Sequence, residues 1–232
     1  MNTLAIESSA IAASVALTRD GSLLAEVTVN RGNTHSETLL PLVESLLDRL
    51  GMTVDDVDLF AASVGPGSFT GVRIGVATLK GLAFGRGKPC VGVSTLEALA
   101  ENLSIVRDGL ICPVMNARRN QVYTALFRGG KRLMQDSALP AEELEAILAT
   151  YPEPVYFVGD GYDLITGQTH RPIAPVPERL RIQSAASVAE VARRAFLAGQ
   201  ATADAALSPV YLRPSQAERT RTEKLKAELQ NQ

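Results

Sequence analysis

The chain has 232 residues, 46% of them hydrophobic, enough to supply the core of one large domain or two small ones. A net charge of −2, 5% aromatic residues and no Trp give no global attraction to polyphosphate and little surface for stacking on bases, which argues against an autonomous nucleic-acid binder. Cys90 and Cys112 are too few for a zinc knuckle or a disulfide scaffold and sit in apolar runs, so they read as reduced core residues.

The opening residues lack a basic n-region and place Glu7 where the apolar part of a signal peptide would run. No stretch offers about 18 uninterrupted apolar residues, so the expected location is the cytoplasm, with no membrane partner. Short apolar or alternating runs at 4–6, 13–17 and 23–29, separated by Glu7-Ser8-Ser9 and Asp20-Gly21, predict an antiparallel meander. Thr34 or Ser36 can cap the next helix, Glu37 suits its first turn, and Gly51 stops it after Leu50. On that helix Leu39, Leu40, Leu42, Val43, Leu46, Leu47 and Leu50 span an arc of roughly 160°, wider than the ~100° one core contact needs. One face can bury while its shoulder meets a partner, or the whole helix can sink into its own domain.

A strand at 59–64 runs into Gly65-Pro66-Gly67-Ser68-Phe69-Thr70-Gly71 and a helix to Gly85; a strand at 89–93 and a short helix at 95–103 follow. The first hundred residues therefore read βββαβαβα. A second unit begins near Asp108-Gly109, with strands at 110–115 and 121–127, a turn at Gly129-Gly130, a helix at 141–150 and a strand at 155–158 ending in Gly159-Asp160-Gly161. An amphipathic helix at 187–197 and a short strand at 210–212 complete it. The division is thus 1–106, 107–213 and a charged, helix-prone tail at 214–232, where Arg219 and Glu223, and Lys224 and Glu228, stand at i,i+4 spacing.

His35 and His170 are the only histidines, and neither has a second ligand at metal spacing, so no metal site is expected. Ser8, Ser9, Ser68 and Ser94 lack a recognisable base, and no Gly-x-Ser-x-Gly elbow occurs. The glycine-rich turn could present N–H groups to an anion. Yet Lys80 is too far along for a Walker loop, and Thr70 stands where a dinucleotide fingerprint needs glycine. Glycines that continue into the helix, each costing about 1 kcal/mol relative to alanine, point instead to a close helix neighbour. Gly71 and Gly75, then Ala77, Gly81 and Gly85, fall one turn apart, and Val72, Val76, Leu79 and Leu82 supply area beside them. That neighbour can belong to the same domain or to a partner.

The stretch from Gly65 to Ala83, with Ile6-Glu7-Ser8-Ser9, closely resembles the TsaB (YeaZ) family. Asn33-Thr34-His35-Ser36-Glu37, Ala117-Arg118-Arg119 and Pro209-Val210-Tyr211-Leu212-Arg213 are similar to its later landmarks. The resemblance implies an α/β, actin-like ATPase (ASKHA) fold of two lobes, each a mixed sheet flanked by helices. It implies a non-catalytic relative of TsaD that pairs with it to make threonylcarbamoyladenosine beside the anticodon of tRNAs reading codons that begin with A, with the small ATPase TsaE completing the system. Members form homodimers through the two helices of the first lobe and use much the same surface for TsaD. On this chain that surface would comprise Leu39, Leu40, Val43, Leu47, Val72, Gly75, Val76, Leu79 and Leu82. ATP and metal would belong to the partner subunits, tRNA would be met only through the complex, and no catalytic residue would be expected here. A glycoprotease activity has no catalytic group to support it.

Two rival readings remain. An actin-like ATPase or phosphotransferase would use Glu7, Ser9, Gly67 and Asp160 around a nucleotide, although Glu7 is a poor match to the aspartate usual at the metal-linked position. A direct tRNA-binding module would rest on Arg118, Arg119, Arg128, Lys131 and Arg132.

Overall fold

The computed structural model describes residues 1–32, 34–169 and 171–213; Asn33, His170 and the tail expected at 214–232 lie outside the described residues. Strand β1 (Asn2–Glu7) puts Leu4 and Ile6 on one side and Ala5 on the other, and β2 (Ala13–Arg19) does the same with Val15 and Leu17 against Ala16. Two buried faces follow, because side chains alternate with period two. Strand β3 (Ser22–Val29) completes the antiparallel meander, turning at Asp20-Gly21, where both φ angles are positive, 54° and 86°. After helix α1 (His35–Arg49), β4 (Leu59–Gly65) pairs in parallel with β1; after helix α2 (Phe69–Ala83), β5 (Cys90–Ser94) pairs in parallel with β4. The five-stranded sheet is ordered β3-β2-β1-β4-β5, and α1 and α2 cover its Leu4, Ile6 and Phe60 face.

Helix α3 (Thr95–Glu101) leads to the second sheet, formed by β6 (Leu110–Asn116), β7 (Gln121–Arg128), β8 (Lys131–Pro140) and, after helix α4 (Ala141–Leu148), β9 (Val155–Val158). Helix α5 (Tyr162–Thr166) and α6 (Ala185–Leu197) follow. The order is β8-β7-β6-β9, with β6 and β9 parallel and the other pairs antiparallel. Leu110, Cys112 and Val114 bury against α4 and α5, whereas Ile111 and Met115 face Leu96 and Leu99 of α3.

A boundary at 106 separates the sheets but not the helices. Val188, Ala189 and Ala192 of α6 pack on the first sheet against Ala5, Ala16, Leu59 and Ala61, where small side chains let the helix approach closely. The chain then stays with the first lobe: Thr202 and Cys90 exchange backbone hydrogen bonds at 2.8 Å, and Leu207 enters the first core. The strand expected at 210–212 is not formed; Val210 N–H donates a single bond to Val64 O at 2.7 Å. Strand β8, which the sequence did not announce, carries Lys131, Arg132, Gln135, Asp136 and Ser137 among its 10 residues. Arg132 on it pairs with Asp136 of the same strand and, at 2.7 Å, with Glu97 of α3.

Both thiols are buried and reduced, and burial pushes Cys90 up to about 11 and Cys112 up to about 12. Among the described residues no helix is long and apolar enough to cross a membrane.

Candidate functional site

The carboxyl ends of β1 and β4 open at one edge of the first sheet, the position where open α/β sheets bind ligands. The turns that follow them touch. Ser68 N–H donates to Ser9 O at 2.6 Å, and a Cβ on Gly67 would sit 2.4 Å from that same oxygen, so only glycine fits. The Oγ of Ser68 accepts from Gly71 N–H at 3.2 Å and caps α2. Facing this floor are the β6–β7 turn and Asp160 after β9, and between them lies a cleft of about 660 Å³.

Ser9, Gly67 and Asp160 all line the cleft, so the fold brings together three residues that the sequence only suggested. Glu7 is adjacent but fully buried and not among the lining residues. Its Oε1 accepts from Ser9 N–H at 2.6 Å. Burial pushes the Glu7 carboxyl above its ordinary value, against the opposing effect of the Ser9 hydroxyl and N–H, the Ser63 hydroxyl and the Ser8 N–H. Even so, Glu7 Oε2, Ser9 Oγ and Ser63 Oγ each lack a formed hydrogen bond. Asp160 is open to the cleft solvent, yet the surrounding walls push its carboxyl up as well, opposed by the backbone N–H groups of Asn116 and of Asp160 itself. The lining offers one carboxylate, Asp160, and no lysine. Among the described residues no three His, Cys, Asp or Glu side chains stand together as a metal site. His35 is engaged elsewhere: its Nε2–H donates to Ala10 O at 2.8 Å, since a carbonyl can only accept.

The sequence marked Arg118, Arg119, Tyr211 and Arg213 as family landmarks or tRNA candidates without placing them at the cleft, which Arg118, Tyr211 and Arg213 line. Arg118, Arg119 and Asn120 have φ of 63°, 55° and 57°, a left-handed run that costs an ordinary side chain about 1–2 kcal/mol per residue. Residues 209–213 cross the mouth, where Tyr211 stacks on Phe69 at 4.6 Å, Arg73 lies 3.8 Å over the Phe69 ring and donates to Tyr211 Oη at 2.7 Å, and Arg213 donates to Ala117 O at 2.8 Å. Of the arginines expected to touch tRNA, Arg128 is paired with Glu153 and Arg132 with Glu97 and Asp136. No ion pair is formed by Arg118 or Arg119 among the described residues.

The expected partner surface needs correction. Leu39, Val43, Leu47, Val72, Gly75, Val76 and Leu79 are buried in the first lobe's own core, and Leu82 is partly buried against it. Gly75 is close-packed inside the lobe: a Cβ there would lie 2.2 Å from Ser8 Oγ, and one on Gly71 would lie 2.2 Å from Ser8 O. On α2 the exposed residues are Arg73, Ala77, Gly81 and, just past the helix, Phe84, which is 77% exposed; on α1 Leu40 is 44% exposed. A Cβ on Gly81 would meet nothing within 4 Å. At about 100° per residue, Gly75 and Ala77 are about 160° apart on the helix, a split already present in the sequence.

A family model described as "TsaD: tRNA N6-adenosine threonylcarbamoyltransferase" matches residues 22–218. Over 68% of its length the chain is 38% identical to the "tRNA threonylcarbamoyladenosine biosynthesis protein TsaB" of Bacillus subtilis, of which it covers 71%. The chain belongs to the TsaB family. A solved TsaB-family structure, YeaZ from Pseudomonas aeruginosa, superposes with a TM-score of 0.79 at 29% identity, covering 91% of this chain and 99% of that one. The inorganic polyphosphate/ATP-glucomannokinase of Arthrobacter sp. strain KM gives a TM-score of 0.52 at 11% identity over 85% of this chain and 99% of that one, a likeness of fold alone. The two-lobed architecture is thus the actin-like ATPase (ASKHA) fold.

Proposed function

We propose that the chain is a non-catalytic subunit in forming the threonylcarbamoyl group on N6 of the adenosine next to the anticodon, in tRNAs reading codons that begin with A. It acts by pairing with the catalytic paralogue TsaD through the outer face of α1 and α2. The observation that carries this reading is the unpartnered strip of Ala77, Gly81 and Phe84 along α2, with Leu40 exposed on α1. Small side chains let a second helix approach, and the exposed Phe84 and Leu40 offer it apolar area. The same face serves a homodimer when TsaD is absent. TsaE supplies ATP turnover, nucleotide and metal stay with the partner subunits, and the assembly works in the cytoplasm. Non-catalytic status is supported by Glu7, held under the cleft floor by Ser9, and by His35, committed to Ala10.

Threonylcarbamoyl transfer by TsaD, measured with and without the chain, tests this: activity should depend on the chain, and light scattering should show the two in one particle. Full TsaD activity without it would refute the proposal. The fold and cleft also favour one second reading, an ATPase with its own nucleotide site. Calorimetric titration of the chain alone with Mg-ATP separates the two, since micromolar binding with turnover would require the second.

A further inference from the structure

We infer that the basic rim of the cleft, built on the turn Arg118-Arg119-Asn120, is a contact surface for tRNA phosphates. The inference rests on the chain's proposed role in tRNA modification, and adds that it touches the RNA itself.

The turn is held by bonds that need no arginine side chain. Ala117 N–H donates to Gln121 O at 2.9 Å, Gln121 N–H to Arg118 O at 3.2 Å, and Arg118 N–H to Asn116 Oδ1 at 2.8 Å. With φ of 63° and 55°, positions 118 and 119 would be filled at less cost by glycine. Arginines kept in that conformation serve something other than the hairpin, as outliers of this kind do at binding sites.

Both guanidinium groups are exposed and without an ion pair among the described residues, whereas Arg128, Arg132, Arg193 and Arg194 each hold a carboxylate. Arg213 brings a further guanidinium to the turn through its bond to Ala117 O at 2.8 Å. Tyr123 and Tyr211 line the same cleft, and Arg73 holds the Tyr211 ring in place. Arginine beside aromatic rings suits phosphate together with ribose or base, and suits an acidic peptide less well. Asp160 lines the same cleft, and Asp163 and Glu178, with Arg181, line an adjoining hollow that shares Asp160 with it, so the excess of carboxylates there favours a polyanion on the side of the Arg118 turn. A local basic rim on a chain of net charge −2 contacts few phosphates and binds weakly on its own.

The test is fluorescence anisotropy of labelled tRNA titrated with the full chain over a range of salt concentrations. For the wild type, log affinity should fall against log salt with a slope of about −2 to −3, at about 0.7–0.9 per phosphate contact. Arg118→Gly combined with Arg119→Gly should reduce that slope by about 1.4–1.8 while raising the melting temperature, because glycine relieves the left-handed backbone. A merely structural role for the arginines would lower the melting temperature and leave the slope alone. An unchanged slope, no salt-dependent binding by the wild type, or binding of poly-glutamate in preference to tRNA would each overturn the inference. Light scattering of the same proteins with TsaD keeps the two proposals apart: a wild type that pairs with TsaD but ignores tRNA defeats only the RNA contact, and one that binds tRNA but not TsaD defeats only the pairing.

Discussion

Gly75 and Gly81 lie on one helix, and an added methyl would have opposite consequences at the two. At Gly75 it would strike Ser8 Oγ at 2.2 Å, so glycine there is the condition for α2 to lie on the β1–β2 turn. At Gly81 it would meet nothing within 4 Å, so glycine there costs helix stability with no return inside the lobe. A glycine inside a helix thus shows close approach only where a neighbour is found. Where none is found in the chain, a neighbour outside it is the physical candidate.

The largest effect should come from the inner position. Gly75→Ala should destabilise the fold by about 1–3 kcal/mol in urea denaturation, through overpacking against Ser8. Gly81→Ala should instead stabilise the isolated chain by up to about 1 kcal/mol in the same measurement. If both substitutions destabilise alike, the contrast between the two faces is lost. Glu7→Gln sharpens the inner side further. The folded carboxyl holds its proton more tightly than the unfolded one, whose ordinary value is 4.5, so the stability linked to Glu7 is fully present below that pH. It declines as pH rises toward the raised folded value. Glu7→Gln, which cannot ionise, should match the wild type in acid and exceed its stability increasingly toward neutral pH, as read from urea midpoints across a pH series. The smallest effect concerns the thiols. With Cys90 raised to about 11 and Cys112 to about 12, neither should be alkylated in the native protein at neutral pH, and both should react in urea.

Much of the fold was legible because its strands are apolar or strictly alternating. Leu4, Ala5 and Ile6 announce a strand buried on both faces, and Asp20-Gly21 announces the hairpin. Strand β8 was not legible, since Lys131, Arg132, Gln135 and Asp136 resemble a loop until Glu97 of α3 is placed beside Arg132. Likewise α6 shows an amphipathic face, but nothing local says that its alanines will meet Ala5 and Ala61 of the other sheet. Ser9, Gly67 and Asp160 could be picked out as turn residues near strand ends, whereas Arg213 and Tyr211 reach the cleft only because residues 202–213 return across the first lobe. The residues expected at a partner face fall in the core for a simpler reason. Leu39, Val43 and Val76 were grouped by hydrophobicity, which selects the core, while the exposed side of α2 carries the small residues Ala77 and Gly81.

The most direct test of the account is the mass, by size-exclusion with light scattering, of Gly81→Arg plus Phe84→Glu mixed with TsaD. Neither position is buried, so the variant should fold, yet an arginine at Gly81 holds a second helix away. The account predicts a chain as stable as the wild type that elutes apart from TsaD. A complex of undiminished mass and affinity would contradict it, and would place the partner surface elsewhere on the molecule.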